Sequence, residues 1–523
     1  MSKIFVYDTT LRDGAQSEEI EFSVEDKIAI AHLLDQKVDF IEGGYPAHTN
    51  AKDLEFYRRM KKQPLRHATL VAFGSTRRAK YTVRQDPSLQ SLLDTGAPAV
   101  AIVGKTWDLH VRDVLHISLE ENLKIIRESV AYLKSKKRQV LFDAEHFFDA
   151  YALNQDYAEK VLLAAAGSGA DWLVLCDTNG GTLPAELGKI IQAVKKLVPT
   201  PLGIHAHNDS EMAVANSLAG VDAGAAMVQG TINGYGERCG NANLCSLLPT
   251  LQLKMGKACL RGQDLKQLTT LARTVSEIAN VPPRDFSAYV GYNAFAHKGG
   301  LHVDAVRKNP VSYEHVPPES VGNERRIIIS EQSGVASVLF KAAQMGIKLE
   351  PGSEAARAII ERIKVLEHAG YKFEGADASF RLLLERHLQK HKPFFELQGF
   401  RVSVEKREDK LISEATIKVS VNGVSIHTAA EGDGPVNALD SALRKALEPH
   451  YPALKKMHLV DYKVRVLDSK AGTEAKVRVF IESQDGKQTW GTVGLSPNII
   501  EASWEALVDA IEFKLHSDRG WKQ

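Results

Sequence analysis

The chain has 523 residues, is 44% hydrophobic and 25% charged, and carries a net charge of +1; this is the make-up of an ordinary globular protein long enough for about two to four domains. So even a balance argues against a nucleic-acid groove or an anionic membrane surface as partner. Four cysteines (Cys176, Cys239, Cys245, Cys259) without CxxC pairing are too few for a disulfide scaffold and fit a reducing cytoplasm. A charged opening strand with no apolar leader, and no apolar run of about 18 residues, predict neither a signal peptide nor a transmembrane helix.

In chain order, the first strand is KIFVY (Lys3 to Tyr7), followed at once by DTTLRDGAQ (Asp8 to Gln16). Core packing gains nothing from Asp8, Arg12 and Asp13 crowded at a strand end, so the segment reads as a site or, more plainly, as a structural ion pair. Ser23 with Asp26 three residues later forms a capping box ahead of the helical KIAIAHLL. Further apolar strands are FIEGGYP (Phe40 to Pro46), ATLVAFGS (Ala68 to Ser75), AVAIVGKT (Ala99 to Thr106) and VLFDAEHF (Val140 to Phe147). WLVLCDTNG (Trp172 to Gly180), PLGIHAHND (Pro201 to Asp209) and MVQGTINGYG (Met227 to Gly236) complete the set. Eight near-continuous apolar strands separated by helical stretches predict an α/β fold, a closed (β/α)8 TIM barrel. An open doubly wound sheet is the competing architecture, but no GxGxxG opens the first helix. Polar residues sit at the C-terminal strand ends: Arg12, Asp13, Glu42, Thr106, Glu145, Asp177, Thr178, His205, His207 and Asn233. That rim is where such barrels place their chemistry. On a strand, His205 and His207 point to the same face; with a carboxylate such as Asp13 they describe a divalent metal site with an open position.

The pattern changes near residue 270, giving a barrel over 1–270 and a mostly helical segment over 271–392. That segment is interrupted by KGGLHVDA (Lys298 to Ala305) and a turn at Pro317 and Pro318. From 393 to 523 the chain repeats itself. ATIKVSVNGVSIHTA (Ala415 to Ala429) and AKVRVFIESQDGKQTWGTV (Ala475 to Val493) each read strand, Asn-Gly or Asp-Gly hairpin, strand, then helix. A duplicated C-terminal α+β unit with few clustered titratable groups is expected to bind or assemble.

DTTLRDGAQ, HAHND and GYGERCGNANL (Gly234 to Leu244) together resemble the metal-dependent acyl-CoA condensing enzymes related to 2-isopropylmalate, homocitrate and citramalate synthases. The likeness runs along almost the whole chain. IEGGYP, FGSTRR and VGKTWDLHV are similar to the citramalate branch, which implies acetyl-CoA and pyruvate as substrates; the duplicated unit over 393–523 is similar to the family's regulatory dimerisation domain, which implies a homodimer and feedback by isoleucine. The resemblance adds Asn241 as a fourth metal ligand beside Asp13, His205 and His207; this N/O set suits Mg²⁺, Mn²⁺ or Zn²⁺ alike. It implies that Arg12 stabilises the developing alkoxide and that Glu145 lines the substrate and acetyl pocket. It further implies that Thr178 donates to the keto-acid carboxylate, that the His302 of GGLHVDA is the base with Asp304 nearby, and that Tyr313 assists. Each has a plainer reading: Glu145 paired to a rim cation, Thr178 as a turn residue, His302 as a structural or CoA-contacting histidine on a helix. A lyase or aldolase of the same barrel superfamily, or a non-catalytic metal-binding regulator, are the competing functions.

Overall fold

The computed structural model describes residues 3–47, 49–260, 265–328, 335–350, 352–467, 475–486 and 488–521. Strands β1 (Phe5–Asp8), β2 (Phe40–Glu42), β3 (Thr69–Ser75), β4 (Ala99–Lys105), β5 (Gln139–Glu145), β6 (Trp172–Asp177), β7 (Leu202–Ala206) and β8 (Met227–Gly230) close into a barrel in sequence order. All pairings are parallel, and β1 meets β8 with Phe5 opposite Met227 and Asp8 opposite Gly230. The expected (β/α)8 barrel is thus borne out. Its strands read as unbroken apolar runs because both faces are covered: WLVLCD is buried at all six positions.

Alternation along the strands separates two cores. One side of each strand packs against the surrounding helices; the other fills the barrel, where Tyr7, Phe40, Ala101, Leu141, Val174 and Met227 belong to one buried cluster. Continuing the inward row toward the strand C-termini, period two leads from Leu141 to Asp143 and Glu145, and from Met227 to Gln229. The apolar plug therefore gives way to polar groups on the same face. The capping box is present, with Ser23 Oγ accepting the Asp26 amide and Asp26 accepting the Ser23 amide.

The chain divides into two compact units, Met1–Phe295 with Val316–Glu324, and Ala296–His315 with Arg325–Gln523. The first holds the barrel. The second begins with the short parallel pair β9 (Ala296–His297) and β10 (Arg326–Ile327). Here the KGGLHVDA segment does not interrupt the helical pattern as expected: Gly300–Lys308 is itself a helix, with Val303 and Val306 buried. The two glycines that suggested a break stand at its N-terminal edge, where Gly299 is the N-cap.

Two three-stranded antiparallel sheets follow: β11 (Glu396–Arg407), β12 (Lys410–Val421) and β13 (Val424–Gly432), then β14 (His458–Val466), β15 (Val477–Gln484) and β16 (Thr489–Ser496). Helices Pro435–Leu447 and Ile499–Arg519 follow them. The β12–β13 hairpin turns at Asn422 and Gly423, both at positive φ, as an Asn-Gly type I′ turn requires. The duplication is real, but each repeat has one strand more than expected. The additional strands, β11 and β14, lie at sheet edges and are largely exposed, so their alternation is diluted by charged residues on both faces.

Candidate active site

Three side chains converge at the C-terminal end of the barrel. His205 ends the inward row of β7, and His207 lies just beyond, where an isolated bridge pairs it with Asn241. Asp13 comes from the turn after β1, in which the amides of Arg12, Asp13 and Gly14 all donate to the Thr9 carbonyl. Asp13 Oδ2 lies 3.5 Å from His205 Nε2, which lies 3.2 Å from His207 Nε2. One ligand atom from each falls within 4.8 Å of the others, and all three residues are buried.

The hydrogen bonding fits a cation. Gln229 Oε1 holds His205 Nδ1 at 3.0 Å; a carboxamide oxygen only accepts, so Nδ1 carries the proton and the Nε2 lone pair faces His207. Burial, and next His207, push His205 down to about 3, keeping it the neutral ligand form. Burial lowers His207 as well. For Asp13, burial pushes upward but is outweighed by Arg12, His205 and His207, so its carboxyl is held well below the usual range. Asp13 Oδ1, His207 Nδ1 and Asn241 Oδ1 are buried without a hydrogen-bond partner among the described residues, an arrangement costly to leave unmatched. Two imidazoles, a carboxylate and a carboxamide are a donor set that a divalent ion satisfies.

Arg12 stands beside this cluster. Its Nη1 donates to Asp13 Oδ2 at 3.0 Å, its Nε pairs with Glu42, and its guanidinium lies 4.0 Å from the Phe73 ring centroid. The plain ion-pair reading of Arg12 therefore describes part of its environment, and the pairing also holds it against the cavity. Glu42 is tied by Tyr7 Oη. Asp143 makes no ion pair among the described residues: burial, then Glu42, raises its carboxyl well above the usual range against the opposing charge of Arg12, and its Oδ1 has no hydrogen-bond partner among them.

A cavity of about 270 Å³ opens over these groups, lined among others by Arg12, Asp13, Asp143, Glu145, Thr178 and the two histidines. Glu145 is bonded to Lys105 Nζ, the rim ion pair that is its plainer reading, and still faces the cavity. Thr178 Oγ1 accepts the His146 amide at 2.9 Å. That is a turn role, yet a hydroxyl that accepts keeps its own proton to donate.

A family model described as HMGL-like matches residues 3–275, and the chain is 54% identical over 519 residues to the (R)-citramalate synthase of Geobacter sulfurreducens, covering 99% of this chain and 98% of that one. This chain belongs to the HMGL-like family. Among its relatives are the (R)-citramalate synthase of Synechocystis, 51% identical over 98% of this chain and 96% of that one, and the 2-isopropylmalate synthase of Methanocaldococcus jannaschii, 31% identical over 97% and 94%. Further models match residues 289–370, described as a homocitrate synthase post-HMGL domain-like segment, and 374–515, described as a LeuA allosteric (dimerisation) domain.

Against this HMGL-like background the barrel brings together Arg12, Asp13, Glu145, Thr178, His205, His207 and Asn241. His302 and Tyr313 belong to the second unit, where their rings stack at 4.2 Å and 28° and both side chains are exposed. Sequence reasoning gave no role to Gln229 or Asp143. A polar residue inside the apolar MVQGT and VLFDAE runs was the available signal: Asp143 shares the inward face with Glu145, and Gln229 with Met227 of the barrel core.

Proposed function

We propose that the chain condenses acetyl-CoA with pyruvate to give (R)-citramalate and CoA, within isoleucine biosynthesis. The observation that carries the reading is the buried Asp13–His205–His207 cluster with Arg12 beside it at the barrel mouth. Its support in identity is 46–54% to five (R)-citramalate synthases, against 31–35% to three isopropylmalate and homocitrate synthases.

Asp13, His205, His207 and Asn241 would hold Mg²⁺, Mn²⁺ or Zn²⁺, which supplies Lewis acidity to a bound keto acid. Thr178 donates its hydroxyl proton to the keto-acid carboxylate. His302 takes a proton from the thioester methyl, assisted by Tyr313; the carbon so freed bonds to the keto carbon. The keto oxygen becomes an alkoxide that Arg12 stabilises and that is then protonated. Glu145 borders the acetyl group, and water cleaves the thioester to release CoA. The stacked, exposed pair His302–Tyr313 is the support for this assignment.

The allosteric-domain match and the exposed Val404, Val424, Val464 and Val466 on the C-terminal sheets support a homodimer that binds isoleucine there. Unbridged cysteines suit a cytoplasmic setting, and no described helix is long and apolar enough to cross a membrane. The test is release of free thiol from acetyl-CoA with pyruvate. Prolonged chelation is expected to abolish it and a divalent ion to restore it; full turnover in a metal-stripped sample would refute the reading.

A further inference from the structure

A second convergence of ligand atoms lies in the C-terminal unit. His391 precedes β11, and Glu512 and His516 stand four apart on one face of the helix Ile499–Arg519. Glu512 Oε2 is 3.2 Å from His391 Nε2 and 3.7 Å from His516 Nε2, and the two imidazole rings are 4.9 Å apart. The side chains of His391 and Glu512 are 9% and 2% exposed. All three facing atoms are buried, and none makes a hydrogen bond among the described residues.

Glu512 is also held from outside the cluster. Glu512 Oε1 accepts the Phe394 amide at 2.9 Å, which leaves Oε2 as the oxygen between the two imidazoles. An ordinary histidine–glutamate ion pair would align one N–H with the carboxylate; neither contact does so, and 3.7 Å is beyond hydrogen-bonding reach. The Trp521 ring stacks on His516 at 5.1 Å and 14°, and the Arg381 guanidinium stacks on Trp521 at 3.8 Å, covering the cluster.

We propose that His391, Glu512 and His516 form a second divalent-metal site, of the Zn²⁺, Co²⁺ or Ni²⁺ class, that fastens the segment entering the C-terminal sheets to the last helix. Two imidazoles and one carboxylate favour these borderline ions over Mg²⁺ or Ca²⁺. Three protein ligands leave a coordination position for water or a further ligand.

The experiment uses the full-length chain. Chelator-stripped protein is titrated with Zn²⁺ and the retained metal counted after gel filtration. Expected is about one equivalent in His205→Ala/His207→Ala, where the barrel pair is removed, and its loss on adding His391→Ala/His516→Ala. No retained metal in the barrel variant would overturn the proposal. Should the fourfold variant fail to fold, Co²⁺ decides: added to His205→Ala/His207→Ala it should quench indole emission, and Trp521→Phe should remove that quenching. Quenching absent, or unchanged by Trp521→Phe, would place any bound ion elsewhere and overturn the assignment.

Discussion

Arg12 is held by Glu42 and Asp13 and rests on Phe73, so its charge is fixed in place before any substrate arrives. Arg12→Ala is expected to lower kcat by about 10²-fold or more with metal content unchanged, the usual cost of losing one group that stabilises developing negative charge. A variant within a few-fold of the parent would make Arg12 only an ion-pair partner. His205 gives a pH prediction. Its folded pKa lies below its ordinary value, so the unfolded chain binds the proton more tightly. The stability it contributes is present above about 6.5 and is lost as pH falls toward 3. In metal-stripped protein this amounts to about 2 kcal/mol by pH 5. Thermal melts between pH 8 and 5 should show a decline that is shallower in His205→Gln; parallel declines would contradict it. Both histidines were legible in the sequence because spacing of two on a strand puts them on one face. Asn241 was legible only through the family resemblance of its turn: it reaches the cluster through a bridge to His207 that no local pattern announces.

At the scale of elements, the site is an inward row of strand residues carried past the apolar plug. Gln229 on β8 orients His205 on the neighbouring β7. Gln229→Leu keeps the strand but frees His205 Nδ1, and should weaken metal affinity by about 10–100-fold while leaving the melting temperature of the stripped protein little changed. Equal affinity, measured by competition with a chelator, would show that the hydrogen bond does not position the ligand. The barrel was legible for a physical reason: strands buried on both faces have to be continuous apolar runs, and the polar residues that break those runs fall at one end. The edge strands β11 and β14 were not legible because exposure removes that constraint. The helix at Gly300 was hidden by its own N-terminal glycines.

At the scale of the whole molecule, the proposed isoleucine site lies within residues 393–523, and the proposed base His302 lies on a helix earlier in the same unit. Under that proposal, isoleucine binding and turnover would be coupled by about 1–3 kcal/mol. Isoleucine should inhibit the full-length enzyme without competing with pyruvate, and a chain ending near Lys392 should lose that response. A shortened chain that stays active and equally inhibitable would put the effector elsewhere. Substrate choice is the central claim. Phe73, Val103 and Cys176 give the cavity its apolar wall, and the proposed preference for pyruvate requires that wall to disfavour longer side chains. Each extra methylene costs about 1–3 kcal/mol of discrimination, so some turnover of 2-oxobutyrate is expected. The most direct test is kcat/KM for thiol release from acetyl-CoA with pyruvate beside 2-oxoisovalerate. Strong preference for pyruvate, with citramalate as product, is the result predicted; equal or better turnover of 2-oxoisovalerate would contradict it and assign the enzyme to isopropylmalate synthesis.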